Sequence, residues 1–318
     1  MIAIDKQVLE ALAREQGFIR DNMEKVLRLV AILDYINHHE VLQHALTLKG
    51  GTAINLAIFP MPRLSVDIDL DFAIACDREE MLEYRKQIND VLLRYMEQEG
   101  YLLLPATKNP HTLDSWVFSY INAGGNKDVI KVEINYSDRC HILPIVQHTM
   151  SIDFLQSFSV NTLAPIELFA TKLNALVNRG AMRDMYDIWN MIRIGLFVTD
   201  AERDLLRKSF VFYLTVGSSI PVGKIPTSFT SLPTIESANF SKIRAQLLPM
   251  LRKTEKFDYV EAKECVLKWL GEFLQFTPQE VEYINQFNNH SYRPELLFDD
   301  KDILSRIEQH PMAVWRIR

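Results

Sequence analysis

Three aspartates at alternate positions, Asp67, Asp69 and Asp71, give this sequence its strongest chemical signal. Apolar residues fill the positions between them, and a repeat of two residues is typical of a β-strand with one buried face. One face of this strand, predicted over residues 64–74, therefore carries a row of carboxylates. Carboxylates crowded on one face repel each other, and Mg²⁺ is the usual hard cation that relieves such repulsion. Asp67 and Asp69 are predicted metal ligands, whereas Asp71 lies further along and is assigned a structural or supporting role.

A glycine turn precedes the acidic strand. Gly50, Gly51 and Thr52 open a short helix that is predicted to run to Ile58. Free backbone N–H groups and a hydroxyl at a helix start suit a phosphate. A phosphate site followed closely by metal carboxylates favours metal-assisted phosphoryl or nucleotidyl transfer. The alternative is that these three residues form only a turn and a helix N-cap.

A third carboxylate, Glu133, lies in the second strand of a predicted hairpin. The segments Trp116–Ile121 and Val129–Asn135 alternate apolar and polar residues around a turn-rich connection. Taken alone, Glu133 fits a solvated antiparallel strand face slightly better than a functional role. Together with Asp67 and Asp69 it becomes the natural third metal ligand, and it is placed to draw the proton from an attacking hydroxyl.

A second group of charged residues follows on two predicted helices. Pro165 opens the first helix, in which Lys172 and Arg179 are seven residues apart and project from nearly the same face. We expect Lys172 to neutralise the β- and γ-phosphates of a nucleotide, with Arg179 assisting. Asp184 on the next helix is expected to orient Lys172, fix the ribose or contact the acceptor. The alternative for all of them is a solvated helix surface with ion pairs of small energy.

Composition excludes few classes of protein. The chain has 318 residues, a formal net charge of -6 and three widely spaced cysteines. An odd number of separated cysteines forms neither a disulfide framework nor a zinc site, which favours the cytoplasm. Neither a signal peptide nor an apolar run of membrane-spanning length is recognised, so no membrane partner is expected. The acidic charge still permits nucleic-acid binding, because a basic patch can lie on an acidic protein.

The remaining elements are predicted from apolar periodicity and capping residues. Residues 6–37 form two helices, and Asp21 with Glu24 resembles a capping box that opens the second. A long amphipathic helix covers residues 78–98 and ends before Gly100. Further helices are predicted at 240–252, 258–275 and 278–287, the last with Thr277 as its N-cap.

The order of these motifs resembles the AbiEii/AbiGii abortive-infection family of nucleotidyltransferase toxins, within the DNA polymerase beta-like superfamily. The matching segments are Leu48–Ala53, Arg63–Asp71, Val132–Ile134, Lys172–Arg179 and Arg183–Trp189. The resemblance covers about residues 40–195. This chain has Gly-Gly-Thr where the superfamily more usually has Gly-Ser, and threonine keeps the hydroxyl.

The resemblance implies an α+β fold. Residues 1–155 would form a nucleotidyltransferase-like catalytic domain, with N-terminal helices and a small mixed or antiparallel sheet that has helices on one face. Residues 156–318 would form a mainly helical domain that completes the active-site cleft. The implied reaction is transfer of a nucleoside monophosphate from an NTP, with two Mg²⁺ ions and release of pyrophosphate. The residues carried over as catalytic are Asp67, Asp69, Lys172 and Asp184. The expected nucleotide-binding residues are Gly50, Gly51, Thr52, Ser65, Lys172 and Arg179, and the expected metal ligands are Asp67, Asp69 and Glu133.

The resemblance also implies partners. A toxin of this family is neutralised by a cognate antitoxin and serves in abortive infection and antiviral defence, and its expected acceptor is RNA, with tRNA favoured. Two alternatives remain open: a nucleotidyltransferase that modifies a small molecule such as an antibiotic, and a non-catalytic interaction protein with the same fold. A basic groove beside Asp67 and Asp69 would favour RNA, whereas a closed acidic or aromatic cup would favour the small molecule.

Overall fold

The computed structural model describes residues 4–150, 157–237 and 240–318. Contacts within the chain divide it into two compact units. The first unit takes in Met1–Arg139, Ile145–Leu163 and Pro249–Glu255, and the second takes in Cys140–Pro144, Ala164–Leu248 and Lys256–Arg318. Across the described ranges, no helix combines the length and apolar character needed to cross a membrane.

The first unit combines helices with a sheet. Its helices are α1 (Lys6–Glu15), α2 (Arg20–His38), α3 (Glu40–Ala45), α4 (Gly50–Ala53, continued by a π-helical turn over Ile54–Ile58) and α5 (Arg78–Gln98). Its strands are β1 (Leu46–Lys49), β2 (Asp67–Phe72), β3 (Leu102–Leu103), β4 (Leu113–Ile121), β5 (Lys127–Asn135), β6 (Val146–Met150) and β7 (Phe158–Thr162).

The seven strands form one mixed sheet in the order β3-β4-β5-β2-β1-β7-β6. The central strand β2 pairs antiparallel with β1 and parallel with β5. Strands β4 and β5 form the antiparallel hairpin that the sequence predicts. The predicted α+β class with a mixed sheet is therefore confirmed.

One face of the sheet is apolar and lies under α5. Ile68, Val132 and Trp116 are neighbours on β2, β5 and β4 and are almost fully buried. Tyr84 of α5 packs against Phe72 on the same face, with ring centroids 5.6 Å apart. Burying one such side chain contributes roughly 1.5–3 kcal/mol, so the pairing of strands that aligns these residues is strongly favoured. The polar residues between them are left on the opposite face.

The start of α2 differs from the prediction. Ile19 is its N-cap and makes no side-chain capping hydrogen bond, so the predicted capping box of Asp21 and Glu24 is wrong. Glu24 is fully buried and accepts hydrogen bonds of 2.8 Å from Arg28 Nη2 and from the backbone N–H of Ala123 in the hairpin turn. Its carboxylate serves to join α2 to the hairpin instead of capping the helix.

Two elements are shorter than predicted near residues 249–251: the helix predicted at 240–252 and the strand predicted at 64–74. Pro249 has no N–H, and α-helical structure ends at Gln246 instead of continuing to residue 252. Leu64 donates its N–H to the carbonyl of Met250 at 2.8 Å, and Arg63 forms an isolated bridge with Leu251. The residues just before Asp67 are thus paired outside the sheet, and β2 begins three residues later than predicted.

The described part of the second unit is helical. Its helices are α6 (Pro165–Arg179), α7 (Met182–Ile194), α8 (Asp200–Val216), α9 (Pro233–Glu236), α10 (Phe240–Gln246), α11 (Tyr259–Phe273), α12 (Pro278–Asn288), α13 (Lys301–Ile307) and α14 (Pro311–Arg316). Thr277 is the N-cap of α12, as the sequence predicts, and it also forms a capping box with Glu280.

Glu167 of α6 attaches residues 140–144 to the second unit. Its fully buried carboxylate accepts hydrogen bonds from the backbone N–H groups of Ile142 and Leu143, at 2.9 and 3.0 Å, and from the Tyr213 hydroxyl. Burial by itself would raise the pKa of Glu167, but His141 and these hydrogen bonds outweigh it and lower that pKa. A fixed carboxylate at this point explains why this short segment belongs to the second unit.

Candidate active site

A row of polar residues crosses four strands of the first unit. The register pairs Lys49 of β1 with Asp69 of β2, Asp69 with Glu133 of β5, and Glu133 with Ser115 of β4. Residues paired in this way on neighbouring strands point to the same face of a sheet. We call these four residues the polar row, and they lie on the face opposite the apolar core.

The centre of the polar row opens into a cavity. Asp69, Glu133 and Lys49 line a space of about 320 Å³, together with Asn135 and Ser137. The structure thus brings together two of the three predicted metal ligands, although they come from distant segments of the chain. Asp69 and Glu133 are both partly exposed, so a ligand in the cavity can reach their oxygens.

The third predicted metal ligand, Asp67, lies two residues before Asp69 on the same strand face, beside Lys131 in the register. Three carboxylates supply the hard oxygen ligands that Mg²⁺ prefers. Within the described ranges, however, no three His, Cys, Asp or Glu side chains converge as a ready-made metal cluster. Glu133 Oε2 instead contacts Lys131 Nζ at 2.7 Å. The chemistry of the donor set fits Mg²⁺, and its assembly from these three residues stays a prediction.

The glycine turn lies directly against the polar row. Gly50 has a φ of +69°, and a Cβ at that position would collide with Asp69 Oδ2. A Cβ on Gly51 would lie 2.8 Å from Arg63 Nη2 and 3.0 Å from Ser65 Oγ, and Ser65 itself is buried. Gly50 is favoured by its positive φ and by the closeness of Asp69, and Gly51 leaves room for the Arg63 and Ser65 side chains; such close approach is the condition for placing backbone N–H groups near a ligand.

Thr52 has a defined structural contact. Its fully buried side chain donates a hydrogen bond of 2.5 Å from Oγ1 to the backbone carbonyl of Asp67. The hydroxyl thereby ties the start of α4 to the start of β2. Nucleotide binding by Thr52, Ser65 and the two glycines stays a prediction.

Lys49 has a role in the structure that is not predicted from the sequence. Its ammonium pairs with Asp71, whose carboxylate is almost completely buried. Burial lowers the pKa of Lys49, but the carboxylates of Asp71, Asp138 and Asp69 outweigh it and raise the pKa above its usual value. A permanent positive charge therefore lies beside the carboxylates. Lys49 could have been identified from its position as the last strand residue before the glycine turn, because that position determines which face of the sheet its side chain occupies.

The second unit holds the other predicted site residues together. Lys172 Nζ of α6 lies 2.9 Å from Asp184 Oδ1 and 3.3 Å from Asp187 Oδ2, both on α7. Arg179 Nε donates to Asp184 Oδ2 at 2.8 Å. Gly180, with a φ of +59°, ends α6 in the left-handed conformation that turns the chain back toward α7. We call Lys172, Asp184 and Asp187 the lysine cluster.

The lysine cluster is almost entirely removed from solvent. Burial by itself would raise the pKa of Asp184, but Lys172 and Arg179 outweigh it and hold that pKa at about 2. Asp187 is fully buried and shares the Lys172 ammonium. No role is predicted for Asp187 from the sequence; the signal that could have identified it is its three-residue spacing from Asp184, which places both on one side of a helix.

Comparison with known proteins identifies the family of this chain and a similar fold. The family model described as "Nucleotidyl transferase AbiEii toxin, Type IV TA system" matches residues 32–263, which include the polar row and the lysine cluster. A search of curated proteins finds no significant match. Among solved structures, the nucleotidyltransferase toxin MenT4 from Mycobacterium tuberculosis H37Rv is similar over 95% of this chain and 99% of that chain. The TM-score is 0.68 at 15% sequence identity, so this similarity establishes the fold. By its sequence match over most of its length, this chain belongs to the AbiEii family of nucleotidyltransferase toxins of type IV toxin–antitoxin systems.

Proposed function

We propose that this protein transfers a nucleoside monophosphate from an NTP to the hydroxyl of an RNA acceptor, with tRNA favoured, and releases pyrophosphate. The observation that supports this most directly is the pairing of Asp69 with Glu133 on adjacent strands, in one cavity beside the turn at Gly50. A phosphate site next to two carboxylates is the arrangement that nucleotidyl transfer requires.

Each candidate site residue of the first unit has a chemical task in the proposed reaction. The backbone N–H groups of Gly50 and Gly51 face the phosphates of the nucleotide. Asp67, Asp69 and Glu133 would hold Mg²⁺, and the bound ion would stabilise the charge that develops on the reacting phosphate. Glu133, on the side of Asp69 away from β1, accepts the proton of the attacking hydroxyl.

The lysine cluster places one buried ammonium, that of Lys172, against two buried carboxylates. We assign Lys172 to neutralising the nucleotide phosphates, with Arg179 assisting, on the basis of the motif they occupy. Asp184 and Asp187 contact the Lys172 ammonium and fix its direction, so both act as positioning residues.

The transferase activity is tested by incubating purified protein with labelled NTPs, Mg²⁺ and total cellular RNA. The wild-type protein is expected to label RNA, and Asp69→Ala is expected to label none. Asp90→Ala is a matched control, because Asp90 is exposed on α5 and distant in sequence from every motif. RNA labelling that is equal in wild type and Asp69→Ala would contradict the proposal, as would labelling of a small-molecule acceptor alone.

The partner of the toxin follows from its family. Membership in a toxin–antitoxin family implies a cognate antitoxin. Expression of the chain alone is expected to arrest growth, and co-expression of the antitoxin is expected to relieve the arrest. Soluble Asp67→Ala protein should be harmless; if it still arrests growth, the protein acts as a non-catalytic interaction partner.

A further inference from the structure

A second cavity adjoins the one at the centre of the polar row. It measures about 740 Å³ and shares Glu133 and Leu113 with the first cavity. From Glu133 it extends over β5 and β4 toward Lys131 and Lys108. The two cavities therefore meet at a proposed metal ligand, and together they form one groove along the polar face of the sheet.

The sign of the charge changes along this groove. The first cavity presents the carboxylates of Asp69 and Glu133 against the one ammonium of Lys49. Beyond Glu133, the second cavity presents two lysines, Lys108 and Lys131. Lys131 Nζ contacts Glu133 at 2.7 Å and offsets its charge, so Lys108 leaves the second cavity with a net positive charge. The Asn109 amide and the Ser115 hydroxyl add neutral hydrogen-bonding groups.

The outer wall of the second cavity is held in place. Lys108 and Ser115 exchange two backbone hydrogen bonds, at 2.9 and 2.8 Å, which fix the lysine against β4. Arg85 of α5 donates to the carbonyls of Pro110 and His111, at 2.9 and 2.8 Å, and pairs with the buried carboxylate of Asp114 at 2.6 Å. A wall fixed by a buried ion pair is preorganised, which reduces the entropy lost when a ligand binds.

The reaction geometry assigns an occupant to this cavity. The glycine turn follows Lys49 directly and so lies at the β1 end of the polar row, whereas Glu133 and Ser115 lie toward the other end. Phosphoryl transfer places the attacking and leaving oxygens roughly in line, so the acceptor enters from the side opposite the pyrophosphate. We infer that the second cavity is the acceptor subsite, and that Lys108 and Lys131 bind the backbone phosphate next to the reacting hydroxyl at the end of an RNA strand.

This inference rests on the proposed function and restricts the chemical class of the acceptor. A phosphodiester lies within a few ångströms of each terminal hydroxyl of RNA, so an RNA end brings negative charge to the lysines. A polycationic antibiotic brings positive charge to the same place and is repelled. The groove thus favours a polyanionic acceptor over a cationic small molecule.

The test measures binding of a short, fluorescently labelled single-stranded RNA by anisotropy, with EDTA present and no NTP, so that transfer plays no part. The variants are Lys108→Ala, Lys108→Arg and the double variant Lys108→Ala/Lys131→Ala. Lys86→Ala is the matched control, because Lys86 is an exposed lysine of the same unit that lines neither cavity. Salt dependence is measured for each protein, because each lost phosphate contact lowers the slope of log K against log salt concentration by about 0.7 for a single strand.

The double variant is expected to bind RNA at least tenfold more weakly, with a slope reduced by about 0.7, because both lysines contact one phosphate. Lys108→Arg keeps the charge and should bind nearly as well as the wild type. In the transfer assay, the KM for RNA should rise while the KM for the NTP stays unchanged. Wild-type affinity and slope in the double variant, or weakening that is equal in Lys86→Ala, would overturn the inference even if RNA is the acceptor. Transfer only to a cationic small molecule would overturn both the inference and the RNA acceptor.

Discussion

Asp69 of β2 and Glu133 of β5 lie side by side in a parallel strand pair, on the polar face of the sheet opposite Ile68 and Val132. Their carboxylates line one cavity with Lys49, and a Cβ on Gly50 would collide with Asp69. This relationship joins the glycine turn, the acidic strand and the hairpin into one candidate site.

Mg²⁺ should stabilise the protein through Glu133. A ligand that binds only the folded state stabilises it by about 2.7 kcal/mol at a concentration one hundred times its Kd. We expect Mg²⁺ to raise the melting temperature of the wild type and to raise that of Glu133→Gln much less, as measured by differential scanning calorimetry. Glu83→Gln on the exposed side of α5 is the control and should respond like the wild type. An equal Mg²⁺ response in Glu133→Gln would remove Glu133 from the ligand set.

Thr52→Val should destabilise the first unit. The change removes the donor to the carbonyl of Asp67 and leaves a buried acceptor without that bond, which costs about 1–3 kcal/mol. Thr52→Ser keeps the hydroxyl and should lose less. Urea unfolding measures the difference in free energy. If Thr52→Val is as stable as the wild type but fails to bind the NTP, the hydroxyl serves the ligand more than the fold.

Lys49→Met should lower the stability of β1 and β2. The substitution removes the ammonium that pairs with the buried carboxylate of Asp71, and breaking such a pair from one side costs about 3–5 kcal/mol when both groups are fully buried. Because Lys49 is partly exposed, we expect a loss of about 2–3 kcal/mol. Hydrogen exchange of the β1 and β2 amides localises the effect to these strands. Lys86→Met, at an exposed position, should change the exchange rates very little; a similar loss in both variants would contradict the role of Lys49.

The lysine cluster should make the second unit sensitive to acid. The pKa of Asp184 is about 2 in the folded protein, against an ordinary value of 3.8. A lowered folded-state pKa means that the carboxylate stabilises the fold above about pH 4, and that this contribution is lost as the pH falls toward 2. The difference in pKa corresponds to about 2 kcal/mol.

Asp184→Asn should lack this part of the pH dependence and should be less stable than the wild type near neutral pH. Tryptophan fluorescence reports on the second unit, because three of the four tryptophans, Trp189, Trp269 and Trp315, lie in it. Asp299→Asn, at an exposed position, is the control and should follow the wild type. An unchanged acid transition in Asp184→Asn would show that the carboxylate is not held by Lys172 and Arg179.

Local sequence patterns predicted several elements well. The apolar periodicity of residues 78–98 gave α5 with its observed bounds, and the two alternating runs gave the hairpin of β4 and β5. Thr277 was recognised as an N-cap because capping depends on residues three positions apart. The Asp21 and Glu24 pair shows the same spacing, but the predicted capping box is wrong. Glu24 instead accepts hydrogen bonds from Arg28 and from a backbone N–H of the hairpin turn.

By itself the sequence determined the family and singled out the residues that we propose carry the chemistry: the alternating aspartates, the glycine turn, Lys172 and Asp184. Only the tertiary structure decided which residues meet. The register that aligns Lys49, Asp69, Glu133 and Ser115 is set by burial of Ile68, Val132 and Trp116 on the other face. Shifting any strand by one residue would expose that core, and the free energy of burial therefore fixes the polar row as well. That free energy arises only when strands from distant segments of the chain pack together, so local sequence patterns cannot predict the register.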